Sequence, residues 1–109
     1  MTPLTVTHRD ATAGPVLHVA GELDHAQAAV LRREVASLAL KPGQCLDLDL
    51  SGLEFCDSTG ITVLLAARQY AGAADAGIVL TAVPPHLLRV LTMVGLDQVF
   101  TLRPAPPAG

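Results

Sequence analysis

Aromatic residues are scarce in this 109-residue chain: one Tyr, two Phe and no Trp, 3% in all. Any core must therefore be aliphatic, and half of the residues are apolar. Charge of one sign is also in short supply. Seven Lys and Arg stand against ten Asp and Glu, for a formal charge of −3. No basic stripe is present to displace counterions from a phosphate backbone, so nucleic acid is not an expected partner. No apolar run reaches the ~18 residues of a spanning helix, so a membrane is not expected either. The N-terminus "MTPLTVTHRD" lacks the basic and then apolar regions of a signal peptide, which makes the cytoplasm the default location. Cys45 and Cys56 have the spacing of neither a redox pair nor a metal knuckle, and both read as small buried apolar residues. His8, His18, His25 and His86 are scattered without metal-ligand spacing. There is no glycine-rich phosphate loop, and neither metal nor cofactor is expected.

What is present fits one domain. "LTVTHRD" alternates and predicts a strand over Leu4 to Arg9; "ATAGP" turns the chain; "VLHVAG" predicts a second strand ending at Gly21, antiparallel to the first. "DHAQAAVLRREVASLAL" predicts helix one. Asp24 is its candidate cap, Gln27 occupies a box-like position, and Ala28, Leu31, Val35 and Leu38 form the buried stripe. "CLDLDLSGLEF" contains a third strand with Leu46, Leu48 and Leu50 on one face and Asp47, Asp49 and Ser51 on the other. Helix two is expected over Thr59 to Ala73, a fourth strand over Gly77 to Val83, and a third helix in "PPHLLRVLTMVG", opened by prolines and closed at Gly95. "QVFTL" is a short last strand, and the Pro/Ala-rich end, residues 104–109, is expected to be disordered. The order β-β-α-β-α-β-α-β implies a mixed sheet with parallel crossovers and helices packed on it.

The stretch "FCDSTGIT" stands out. A carboxylate, two hydroxyls and a glycine sit at the carboxyl end of strand three and the amino end of helix two. Ligands of open α/β sheets bind at such ends, and the first N–H groups of a helix there have no internal partner and favour negative charge. One cap would need only one of Asp57 and Ser58, and Gly60 alone could serve close packing. The helix that follows, "GITVLLAARQYAGAA", is apolar nearly all round: Ile61, Leu64 and Leu65 form the expected buried stripe, while Val63, Ala66 and Ala67 widen it. This points either to good helix formers with little exposed area or to a partner surface running from Ser58 along the helix. His25, beside Asp24 at another strand end, can border the same surface. Ser58 is not in a G-x-S-x-G elbow and no His lies near it in sequence, so an enzyme is not expected.

The blocks "VLHVAGELDHAQAAVL", "LDLDLSGLEFCDSTGITVLLAA" and "VLTMVGLDQVF" resemble, in order and spacing, those of STAS-domain proteins, in particular bacterial anti-sigma factor antagonists. The resemblance spans about Leu4 to Leu102. It implies a single α/β domain over residues 1–103, with a mixed sheet of about five strands and helices on one side. It also implies a partner switch. The unmodified antagonist binds an anti-sigma factor that is a serine/threonine kinase and so releases a sigma factor. Phosphorylation of the hydroxyl residue after the block's aspartate, Ser58 here, breaks the complex, and a phosphatase resets it. The expected partner surface comprises Asp24, His25, Asp57, Ser58, Thr59, Gly60, Thr62 and Val63, on a chain that is a monomer when free. Thr59 stands where a serine is commoner and is a second possible acceptor. Family members often carry a further C-terminal helix where this chain has "RPAPPAG". Two other readings are open: a STAS subunit of a lipid ABC transporter, never phosphorylated, and a phosphocarrier using His25.

Overall fold

A computed structural model describes residues 2–105. Strands β1 (Thr5–Ala11) and β2 (Gly14–Leu23) form the antiparallel hairpin. The reversal takes only Thr12 and Ala13, with Ala11 pairing Gly14, rather than the five residues expected. The Ala13 carbonyl accepts a hydrogen bond from Cys45 N–H at 2.9 Å, which holds the tight turn against the next strand. Nor does β2 stop at Gly21: a register shift between Gly21 and Glu22 lets its pairing run on to Leu23.

Helix α1 (Ala28–Ala36) is shorter than the segment 24–40 that periodicity suggests. At its start, Gln27 N–H donates to Asp24 Oδ1 at 3.0 Å and to the Asp24 carbonyl at 3.1 Å, closing a turn before the helix proper. The Gln27 side chain does not reach back as a capping box requires; its Oε1 accepts from Leu4 N–H at 3.4 Å. At the other end, Ser37 Oγ donates to the Glu34 carbonyl and the Tyr70 hydroxyl donates to the carbonyls of Ala36 and Leu38. The last carbonyls are thus satisfied without another turn. The stripe Ala28, Leu31, Val35 and Leu38 is buried as its spacing predicts.

Strand β3 (Cys45–Cys56) buries Leu46, Leu48 and Leu50 completely. Irregular pairing with β2 past His18 then shifts the alternation, so that Leu53 joins the same core. Helix α2 (Ser58–Ala73) begins one residue before the expected Thr59. Strand β4 (Gly77–Thr81) stops short of Val83, because Ala82 adopts a φ of 56°. Helix α3 (Pro85–Met93) has Pro84 at its N-cap and is followed by Gly95 at a φ of 80°, the left-handed stop that glycine adopts most readily. A 3-10 turn, Leu96–Gln98, takes up the start of "QVFTL", and β5 is therefore Thr101–Arg103.

The sheet order is β1-β2-β3-β4-β5, with β2 to β5 parallel and β1 antiparallel at one edge. Three crossovers stepping the same way place every helix on one face, around one core that is aliphatic as expected except for the buried ring of Phe100. The other face is mixed: Val16 and Val79 are buried beside Asp47, and polar side chains surround them. There His18 Nδ1 lies 3.2 Å from Asp49, Thr81 Oγ1 donates to Asp47 Oδ1 at 2.6 Å, and Arg103 pairs with Asp47. Burial pushes the Asp49 carboxyl up, but donors from Ser51 and His18 outweigh it and hold the group below its ordinary range. Pro104 and Ala105 carry no regular structure, and the rest of the tail expected to be disordered, residues 106–109, lies outside the described residues. No helix among the described residues is long and apolar enough to cross a membrane.

Candidate functional site

The joint between β3 and α2 is built around Asp57. Its backbone is extended, with φ −97° and ψ −173°, and its side chain caps the helix: Oδ1 accepts from Gly60 N–H at 3.0 Å. Its other oxygen, Oδ2, accepts from His25 N–H at 3.2 Å. One carboxylate therefore fixes the start of α2 and ties it to the Asp24–Gln27 turn at the end of β2. Of the sequence-predicted residues, Asp24, His25, Asp57, Ser58, Thr59 and Thr62 are brought to this corner.

Replacing Asp57 with Ala is expected to remove the cap and leave the His25 amide without its acceptor. A cap contributes ~1 kcal/mol and a hydrogen bond to a charged group ~1.5–3 kcal/mol, discounted here because the site is partly solvated. A loss of about 2 kcal/mol, or roughly 8–16 °C in melting temperature for a domain of this size, is expected. Asp57→Asn retains one acceptor oxygen and should lose about half as much by the same reasoning. Equal melting curves for wild type and Asp57→Ala would contradict the bridging role.

Ser58 is the first residue of α2 and is exposed, whereas Thr59 is half-buried. Gly60 N–H is taken by the Asp57 side chain and Ile61 N–H by the Asp57 carbonyl at 3.1 Å. The amides of Ser58 and Thr59 remain for solvent or an anion, in the positive field of the helix start. Thr62 Oγ1 donates to the Ser58 carbonyl at 3.0 Å, closing the first turn. The two His rings that find a carboxylate are His8, with Asp10, and His18, with Asp49. Neither is at Ser58, and nothing described there activates its hydroxyl as a nucleophile.

Two members of the expected surface are not surface residues. Val63 is 1% exposed and Gly60 is buried. Val63 packs with Ala67 beneath α1, which covers the flank of α2 that looked free in the sequence. Gly60 is where α2 presses on the end of β2: a Cβ there would lie 2.6 Å from the Leu23 carbonyl oxygen and 2.7 Å from Cys56 Sγ. The cysteines are half-buried rather than buried, and both are free. Burial, reinforced by the Asp57 charge, pushes the Cys56 thiol up to about 12, which keeps it neutral and unreactive beside the site. The sequence reading missed Phe55, 48% exposed at the end of β3. A rare aromatic two residues before Asp57, in a chain whose core is aliphatic but for Phe100, was the available signal. Among the described residues no three His, Cys, Asp or Glu gather as a metal site.

A family model described as "Mlab, STAS domain" matches residues 6–104. The anti-sigma-F factor antagonist RsfB of Mycobacterium tuberculosis is 33% identical over 104 residues, covering 91% of this chain and 80% of that protein. The crystal structure of an anti-sigma factor antagonist from Mycobacterium paratuberculosis superposes with a TM-score of 0.80 at 29% identity, over 95% of this chain and 86% of that one. The Bacillus cell fate determinant SpoIIAA in its phosphorylated form matches with a TM-score of 0.72 over 94% of this chain and 92% of that one; at 20% identity this likeness is one of fold.

Proposed function

The chain belongs to the STAS-domain family, and on that premise we propose that it is an anti-sigma factor antagonist switched by phosphorylation of Ser58. The unphosphorylated corner formed by Asp24, His25, Asp57, Ser58, Thr59 and Thr62 binds an anti-sigma factor that is itself a serine/threonine kinase, and a sigma factor is released. The kinase transfers the γ-phosphoryl group of ATP to Ser58 Oγ; the hydroxyl proton leaves to the kinase and ADP departs. A phosphatase hydrolyses the phosphoserine and restores binding. The chain supplies a substrate hydroxyl and a docking surface and performs no turnover of its own. The cycle places it in the cytoplasm.

The observation that carries this reading is the position of Ser58: an exposed hydroxyl on the first residue of a helix, with two unclaimed amides and a carboxylate beside it. A phosphate is well tolerated at such a helix start within the free chain. The antagonist names of relatives covering most of the chain support the same reading.

The test is phosphate stoichiometry by intact mass, with ATP and each kinase-type anti-sigma factor encoded in the source genome. Wild type should gain one phosphate, Ser58→Ala none, and Thr59→Ala still one. Full modification of Ser58→Ala, with the phosphate mapped to Thr59, would move the assignment one residue along. A chain that takes no phosphate but binds a transporter ATPase would instead be the lipid-transporter subunit.

A further inference from the structure

Between α1 and α2 lies a cleft of about 170 Å³. Its floor is Val35, Val63 and Ala67, all buried. Tyr70 forms one wall, and its ring is held there because the hydroxyl donates to the carbonyls of Ala36 at 3.2 Å and Leu38 at 2.8 Å. The small side chain of Ala66 leaves the volume open. Arg32 stands on the α1 side, exposed, and makes no ion pair among the described residues.

The cleft is continuous with the Ser58 corner. Ser58, Thr62, Ala66 and Tyr70 follow at intervals of four along α2, so each neighbours the next in a row that winds roughly 120° round the helix from Ser58 to Tyr70. A partner seated on Ser58 and extending along α2 reaches the cleft within two turns. The charges along this path change sign, from carboxylates at Asp24 and Asp57 to the guanidinium of Arg32. A partner covering both ends fits best with cations toward the corner and a carboxylate toward Arg32.

We propose that this cleft receives one apolar side chain, of Leu or Phe size, from the same partner that meets Ser58, with a partner carboxylate beside it paired to Arg32. The proposal rests on reading Ser58 as the partner site and adds a second anchor to it. The volume suits the occupant, since an apolar cavity of about 150 Å³ takes a benzene-sized group. A side chain buried in such a desolvated pocket is the kind of contact on which binding energy concentrates.

Two variants test it without touching Ser58. Ala66→Leu fills the cleft from within, and Arg32→Glu reverses the charge at its margin. Binding is measured by titration calorimetry against each purified kinase-type anti-sigma factor of the source genome, with melting temperature and sedimentation of the free chain alongside. Each variant should weaken binding at least tenfold with no fall in melting temperature, and Arg32→Lys should retain most of the affinity. If Ala66→Leu fails to fold, Arg32→Glu decides alone. Binding by both variants within about twofold of wild type, while Ser58→Asp binds weakly, would leave the Ser58 reading standing and remove the cleft from it. Failure of wild type to bind any of these proteins would remove both. Self-association of the wild type that Ala66→Leu abolishes would make a second copy the occupant and overturn the proposal.

Discussion

Phosphorylated at Ser58, the chain is expected to bind its anti-sigma factor at least ~100-fold more weakly than the unmodified chain, with an unchanged or slightly higher melting temperature. The two halves of this expectation have one physical origin. The phosphate adds about −1.5 to −2 charges. In the free chain it sits in solvent at the start of α2, where the amides of Ser58 and Thr59 and the helix field receive it. In the proposed complex it would be pressed, partly dehydrated, into a corner that already holds Asp24 and Asp57. Like charges forced together at an interface cost several kcal/mol, and each ~1.4 kcal/mol is tenfold in affinity. Ser58→Ala should bind within about tenfold of wild type, since one lost solvated hydroxyl contributes ~0.5–1.5 kcal/mol at most. Ser58→Asp should fall between, having one charge instead of nearly two. Raising the salt concentration should narrow the gap without closing it, because charges buried at an interface are screened less than exposed ones. Binding of the phosphorylated chain within threefold of the unmodified one, measured by calorimetry, would reject the electrostatic switch.

The joint between β3 and α2 was legible in the sequence because strictly local rules fix it. Alternation placed Leu46, Leu48 and Leu50 on one face of β3, and Asp57 met the need of an uncapped helix start. Helix α1 was less legible for the opposite reason. Asp24 and Gln27 fit a capping box by spacing, yet Gln27 turns to Leu4 N–H, a contact 23 residues away in sequence that no local pattern reveals. The flank of α2 stayed undecided between two readings on the same ground. A helix apolar nearly all round must be covered, but the sequence does not say by what; Val63 and Ala67 are buried on the side toward α1, while Thr62, Ala66 and Tyr70 stay at least partly open beside them. The contact that assembles the site, His25 N–H to Asp57 Oδ2, also joins segments 32 residues apart and follows only from the parallel placement of β2 beside β3.

Gly60→Val is expected to be the most damaging single substitution in the polar cluster, lowering the melting temperature by roughly 12–24 °C, and it should act through the fold and not through the hydroxyls beside it. Gly60 lies in the first turn of α2, and a Cβ there would stand 2.6 Å from the Leu23 carbonyl oxygen, 2.7 Å from Cys56 Sγ and 2.9 Å from Leu23 Cγ. The carbonyl cannot swing aside cheaply, because it already accepts from Asp57 N–H at 3.3 Å and belongs to the end of β2. Relief therefore requires the helix start to move away from the strand. Overpacking of a filled site costs about 1–3 kcal/mol. For Gly60→Ala a helix-propensity gain of up to ~1 kcal/mol offsets part of this, leaving a net loss of about 1–2 kcal/mol. Valine adds two more carbons to the same contact and has poorer helix propensity, which takes the loss to roughly 3 kcal/mol. At roughly 4–8 °C per kcal/mol, the shift for Val follows. Gly72 supplies the opposite case on the same helix. It is exposed and a Cβ there meets nothing within 4 Å, so Gly72→Ala should gain about 0.5–1 kcal/mol and melt a few degrees higher. Thermal melts of the three variants give the answer directly. If Gly60→Val melts within about 2 °C of wild type, the glycine of the block is not needed for the approach of α2 to β2, and a role at the surface would have to be sought for it instead.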